Sequence, residues 1–160
     1  MENKCIFNKL DYKISDKEIS NAISSLKNKK SAGLDSLLNE MFKSTKSFLI
    51  GSLSKIFNCI LTTGIFPSVW CDSFIVPIFK KGSISDPNNY RGITVSSCLC
   101  KIFTKILNSR LTSFLNDNNI NCKEQIGFSK GKRTSDHMFV LKTLIDKYTQ
   151  NSTKSFIHAL

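Results

Sequence analysis

Acidic side chains are in short supply. Twelve Asp and Glu stand against 23 Lys and Arg in 160 residues, leaving a formal net charge of +11. That excess points to a polyanionic partner, with nucleic acid ahead of an anionic membrane surface. The six cysteines (Cys5, Cys59, Cys71, Cys98, Cys100 and Cys122) form no C-x-x-C pair, and there are only two histidines. The usual zinc spacings are therefore missing. No leader-like apolar stretch follows the polar, charged N-terminus, so the cysteines read as reduced, mostly buried thiols of an intracellular protein. No apolar run reaches the ~18 residues that a membrane span needs. Internal repeats and low-complexity linkers are also lacking, so no domain boundary is drawn and residues 1–160 read as a single domain. What the chain does have is apolar bulk. Hydrophobic residues make up 41 %, with 12 phenylalanines, which supplies a packed core and argues against global disorder.

The basic excess is concentrated. From Lys80 to Arg133 there are ten Lys or Arg and three Asp or Glu. Within that span one stretch organises the rest. Phe74-Ile75-Val76 opens as a β-branched and aromatic run, and Pro77 marks it as a short or edge strand. Lys80-Lys81-Gly82 ends the apolar pattern, and Asp86-Pro87-Asn88-Asn89 has the composition of a turn. Tyr90-Arg91-Gly92-Ile93-Thr94-Val95 then resumes a strand-like pattern. The spacing predicts an antiparallel hairpin around residues 72–95, with Lys80 and Lys81 on one side of its loop and Arg91 on the other. Paired strands would bring these cations together at a place suited to phosphate oxygens. Taken alone, the spacing fits a solvated loop with scattered charge equally well.

Helices fill most of the remainder. Ser15-Asp16-Lys17-Glu18 is a capping box, and Ile19, Ala22, Ile23 and Leu26 give the helix after it one apolar face. That helix is expected to end in the cations Lys27 to Lys30. Asp35 or Ser36 is expected to cap a second helix running to about Lys43. A third begins near Ser47, keeps helical spacing through Leu49, Leu53, Ile56, Phe57, Ile60 and Leu61, and stops at Gly64. Trp70 reads as a core anchor at the strand entry rather than a base-stacking residue. From Ser96 or Ser97 the clearest helix carries Leu99, Ile102, Phe103, Ile106, Leu107 and Leu111. Lys101, Lys105 and Arg110 read as lying off that stripe, facing solvent or a nucleic-acid backbone. Glu124 to Thr134 is a basic loop with two glycines that feeds a last helix. Such a loop can hold phosphate through backbone N–H groups, although its spacing is not that of a Walker loop. His137, in the first turn of that helix, reads as a surface residue.

Three of these segments, in this order, resemble the reverse transcriptases of non-LTR (LINE-type) retrotransposons. Lys30-Ser31-Ala32-Gly33-Leu34-Asp35 with Asn39-Glu40 is similar to the family's K-S-P-G-P-D-G … N-E opening. Val76 to Gly82 together with Asn89 to Ile93 resembles its next block. Gln125-x-Gly127-Phe128-x-x-Gly131-x-x-Thr134-x-Asp136 resembles the one after. The resemblance covers roughly residues 15–158. It implies an α+β, helix-rich fold that forms the fingers and palm entry of a right-hand polymerase. It also implies RNA-directed DNA polymerase chemistry with an RNA template, a DNA primer and a deoxynucleoside triphosphate. Lys80 or Lys81 with Arg91 would contact the triphosphate. Gln125, Gly127, Lys130, Lys132 and Arg133 would face nucleic acid.

The departures from the family pattern also carry expectations. Ala32, Leu34 and Leu38 replace prolines of the opening block and Ser36 replaces its glycine, changes expected to loosen a loop. The family continues into a strand whose first Asp binds catalytic metal. Aligned on Phe156-Ile157, that position is His158. The Tyr-x-Asp-Asp turn has no counterpart. Two-metal phosphoryl transfer needs those carboxylates. The expectation is thus no cofactor on these residues, Mg2+ only in a full-length relative, and no polymerisation by this stretch alone. A basic RNA- or DNA-binding module without catalysis is the alternative.

Overall fold

The computed structural model describes residues 10–120, 127 and 131–149. In chain order these form α1 (Asp16–Ser24), α2 (Asn39–Ser44), α3 (Lys46–Thr63), β1 (Phe74–Phe79), β2 (Tyr90–Val95), α4 (Cys98–Asp117) and α5 (Thr134–Thr149). The fold is helix-rich α+β, and among the described residues the only sheet is the two-stranded antiparallel ribbon of β1 and β2. The chain divides into two compact units, Met1–Phe114 and Leu115–Leu160.

The first unit is built around one apolar core. Ile19, Ala22 and Ile23 of α1, Phe42 of α2, Leu53, Phe57 and Ile60 of α3, and Ile102, Phe103 and Ile106 of α4 are all buried. Trp70 joins them, edge-on to Phe57 (centroids 6.1 Å) and to Phe66 (5.6 Å), with Phe103 completing the aromatic cluster. Trp70 is thus the anchor at the strand entry that its sequence context suggested. Ser15 and Glu18 form the expected capping box at α1. Gly64 closes α3 in the left-handed conformation, φ 72°.

Three expectations are corrected. Helix α1 ends at Ser24, so Lys27 to Lys30 lie beyond it and the last turn carries no cation. Helix α2 starts at Asn39 behind Leu38, which makes no side-chain cap. Asp35 instead accepts the Leu37 N–H at 3.2 Å, spending its carboxylate on a local turn. The third correction is Arg110. It is not a solvated off-stripe cation but only 6 % exposed. Its fork holds Glu18, with Nε to Oε1 at 2.7 Å and Nη2 to Oε2 at 3.0 Å. Nη1 donates to the carbonyls of Leu10 (3.0 Å) and Tyr12 (2.6 Å), and the guanidinium lies 3.7 Å above the Tyr12 ring. Burial opposes ionisation of Glu18. The Arg110 hydrogen bonds, the Ser15 bonds and the guanidinium charge outweigh it and bring the carboxyl down to about 2.

In the second unit the described part is dominated by α5. Its first turn is closed by Asp136, whose Oδ2 accepts the Arg133 N–H at 2.8 Å. His137 is exposed, as expected. So are Met138, Phe139, Val140, Leu141, Leu144 and Ile145.

Candidate nucleotide-binding hairpin

The ribbon pairs Phe74 with Val95, Ile78 with Arg91 and Phe79 with Tyr90. The Lys80 N–H donates to the Asn89 carbonyl at 2.8 Å, which continues the pairing one step past β1. Side chains alternate between faces along a strand. Lys80, Ile78 and Val76 therefore share a face with Arg91 and Ile93, and Phe79, Pro77 and Ile75 share the other with Tyr90 and Thr94. The Phe79 and Tyr90 rings, edge to face at 5.5 Å, mark that second face. Lys80 and Arg91 are diagonal neighbours across the ladder, a relation that sets Cβ atoms roughly 7–8 Å apart. Lys81 lies beyond the paired residues, so the register assigns it to neither face. All three cations are exposed.

The loop between the strands is held by its own hydrogen bonds. Asp86 Oδ1 accepts the Asn88 N–H at 2.9 Å, capping the short turn Pro87–Asn89. Asn89 Nδ2 donates to the Ser83 carbonyl at 3.0 Å, and the Tyr90 hydroxyl donates to the Ile84 carbonyl at 2.8 Å. Gly82 is needed here for two reasons. Its φ is +92°, and a Cβ would stand 2.6 Å from Asn89 Nδ2. The Lys-Lys-Gly sequence thus turns the chain immediately after it has presented its lysines.

Counting back by twos from Lys80, Pro77 falls at a position whose N–H would point away from β2. The proline costs the ladder nothing and removes a donor from the outer edge of β1.

Of the second group of sequence-predicted site residues, Gln125 and Lys130 lie outside the described residues. Gly127 is an exposed turn residue, and Lys132 and Arg133 are exposed ahead of α5. These belong to the second unit. Among the described residues no group of three or more His, Cys, Asp or Glu stands where it could hold a metal ion. A two-metal carboxylate set therefore does not fit these residues, and no metal-dependent step is assigned to them. None of the described helices is long and apolar enough to cross a membrane.

Comparison with known proteins decides the family. No protein-family model matches the chain. Over 122 residues, 76 % of its length, it is 34 % identical to a probable RNA-directed DNA polymerase from transposon BS of Drosophila melanogaster. The chain belongs to the non-LTR (LINE-type) retrotransposon reverse transcriptases. A second relative is the probable RNA-directed DNA polymerase from the fly's transposon X-element, 26 % identical over 82 % of this chain. A third, 27 % identical over 74 %, is the putative 115 kDa protein of a type-1 retrotransposable element of the same species. The matched stretch is only 14 %, 15 % and 12 % of these relatives. The chain is thus a partial reverse transcriptase of that family.

Sequence reasoning missed the residues that tie the family's opening block to the hairpin. Gly33 packs against the backbone of Ser96 and Ser97, and buried Asn39 reaches Cys98. Arg110 was legible in principle. It follows Phe103 by seven and Ile106 by four, which puts it on the buried stripe rather than off it.

Proposed function

We propose that this partial reverse transcriptase supplies the fingers of a right-hand polymerase, where Lys80 and Arg91 bind the triphosphate of an incoming deoxynucleotide. The observation that carries the reading is the β1–β2 register, which sets both residues on one exposed face beside the loop. Two cations on one rigid ribbon suit a triphosphate, because the strand pairing has already met the ordering cost. Lys81, beyond the paired residues, serves as a third and more mobile contact. Gln125, Gly127, Lys130, Lys132 and Arg133 face the RNA template and the DNA primer. Two of the longer relatives carry names of RNA-directed DNA polymerases, which supports those substrates. Mg2+ belongs to carboxylates of a full-length enzyme, not to these residues.

Nucleotide titration tests the reading. Arg91→Ala loses one charge-assisted contact of about 1.5 kcal/mol and weakens dATP binding roughly tenfold. Lys55→Ala, an exposed lysine on α3, leaves it unchanged. Equal effects of the two substitutions refute the assignment. Binding of single-stranded RNA without any triphosphate binding favours the simple nucleic-acid-binding module instead.

A further inference from the structure

The opening block of the family pattern recurs here at residues 30–40, well before Lys80 and Arg91 in the chain. Two of its residues, Gly33 and Asn39, meet the place where the ribbon leaves the helical core. A Cβ on Gly33 would stand 2.8 Å from both Cα and N of Ser97 and 2.9 Å from the Ser96 carbonyl carbon. These are backbone atoms of the link between β2 and α4, so no side-chain rotation relieves the clash. Asn39, 7 % exposed, donates from Nδ2 to the Lys27 carbonyl at 2.7 Å and accepts from Cys98 Sγ at 3.1 Å. Glu40 accepts the Lys29 N–H at 2.5 Å and so closes the loop on itself.

Among the described residues the ribbon has little else to lean on. From Phe74 to Phe79 every residue of β1 is exposed, and burial resumes only at Ser97 and Cys98. Its entry is fixed by Trp70 in the aromatic cluster, and its exit by the 33–40 segment. Arg91 lies six residues from Ser97, roughly 20 Å at about 3.4 Å per residue. Over that lever a tilt of about 3° at the root carries Arg91 by about 1 Å, enough to spoil a phosphate contact.

We propose that Gly33 and Asn39 are positioning residues: they form a clasp that fixes the angle of the β1–β2 ribbon and thereby the placement of Lys80 and Arg91. The proposal rests on the triphosphate reading for its consequence but not for its geometry. The test uses the full chain with its exposed cysteines replaced by serine and nitroxide labels at Ser85, in the hairpin loop, and Lys55, on α3. Gly33→Ala shifts or broadens the label-to-label distance by several ångströms while the helical circular dichroism is kept, and weakens dATP binding at least as much as Arg91→Ala. Adding Ser97→Gly does not rescue it, because the clash is with backbone. Gly51→Ala, where an added Cβ meets nothing within 4 Å, changes neither readout. If Gly33→Ala fails to fold, Asn39→Ala, which keeps the close approach and removes both cross-links, is measured in its place. An unchanged distance distribution in the folded variant overturns the clasp. If the wild-type chain binds no dATP, the triphosphate reading fails, and the label distances alone still decide the clasp.

Discussion

Replacing Glu18 with Gln gives the sharpest test of what holds the helical unit together. The Glu18 carboxyl titrates at about 2 in the folded chain against an ordinary 4.5. Each unit of such a difference is worth about 1.4 kcal/mol, so the ionised form contributes roughly 3 kcal/mol to folding. The folded value is the lower one. The contribution is therefore complete above pH 4.5 and is lost as pH falls through about 2. Glu18→Gln keeps the shape but never ionises, and it exchanges one accepting oxygen for an NH2 donor. Urea unfolding followed by circular dichroism should show the variant about 3 kcal/mol less stable at pH 7. The gap should narrow below pH 4.5 and nearly close by about pH 2. A gap that stays constant with pH would mean that packing, not the charge pair with Arg110, sets the stability. A gap under about 1 kcal/mol at pH 7 would mean that the pair behaves as an ordinary surface bridge.

Arg110→Lys should destabilise nearly as much as Arg110→Ala, on the order of 3–5 kcal/mol, since an ammonium cannot reproduce the fork over Glu18 and the Leu10 and Tyr12 carbonyls; thermal melts of the pair check this. Ser36 holds φ +57°, a conformation that favours glycine. Ser36→Gly should therefore stabilise the chain by roughly 0.5–1 kcal/mol in the same urea assay, and a loss of stability would contradict the strain. Gly82→Ala should cost about 1–2 kcal/mol locally. Its signature is faster hydrogen exchange at Lys80 and along β2, with the helical melt unmoved. Burial pushes the Cys98 thiol up to about 11, with Asp35 and Glu40 adding to the effect and Lys101 opposing it. Iodoacetamide at pH 8 should modify exposed Cys59 and Cys71 in the native chain and spare Cys98 until urea is added, as read by peptide mass.

The elements that local chemistry dictates were legible in the sequence. The Ser15 capping box, the Gly64 stop, Trp70 as an anchor and the strand–turn–strand around Asp86-Pro87 each follow from a few neighbouring residues. The pairing that sets Lys80 and Arg91 on one face was legible to the same depth, because a hairpin register is a local property. What escaped depends on residues far apart in the chain. Nothing near Arg110 announces Glu18, 92 positions away. Nothing near Gly33 announces the Ser96-Ser97 backbone that forbids a side chain there. The expected loosening of the 31–38 loop illustrates the same limit. Its lost prolines and glycine predict slack, whereas Gly33, Asn39 and Glu40 tie it down through partners that the local sequence does not contain. Helix α2 began late because Asp35 can cap a helix or close a turn, and here it closes the turn at Leu37.

Pro77 has a consequence for chains that meet edge to edge. Among the described residues neither strand pairs further, and Pro77 interrupts the outer edge of β1 in its middle, whereas β2 carries no proline. An extended chain laid alongside the ribbon is therefore received better along β2 than along β1.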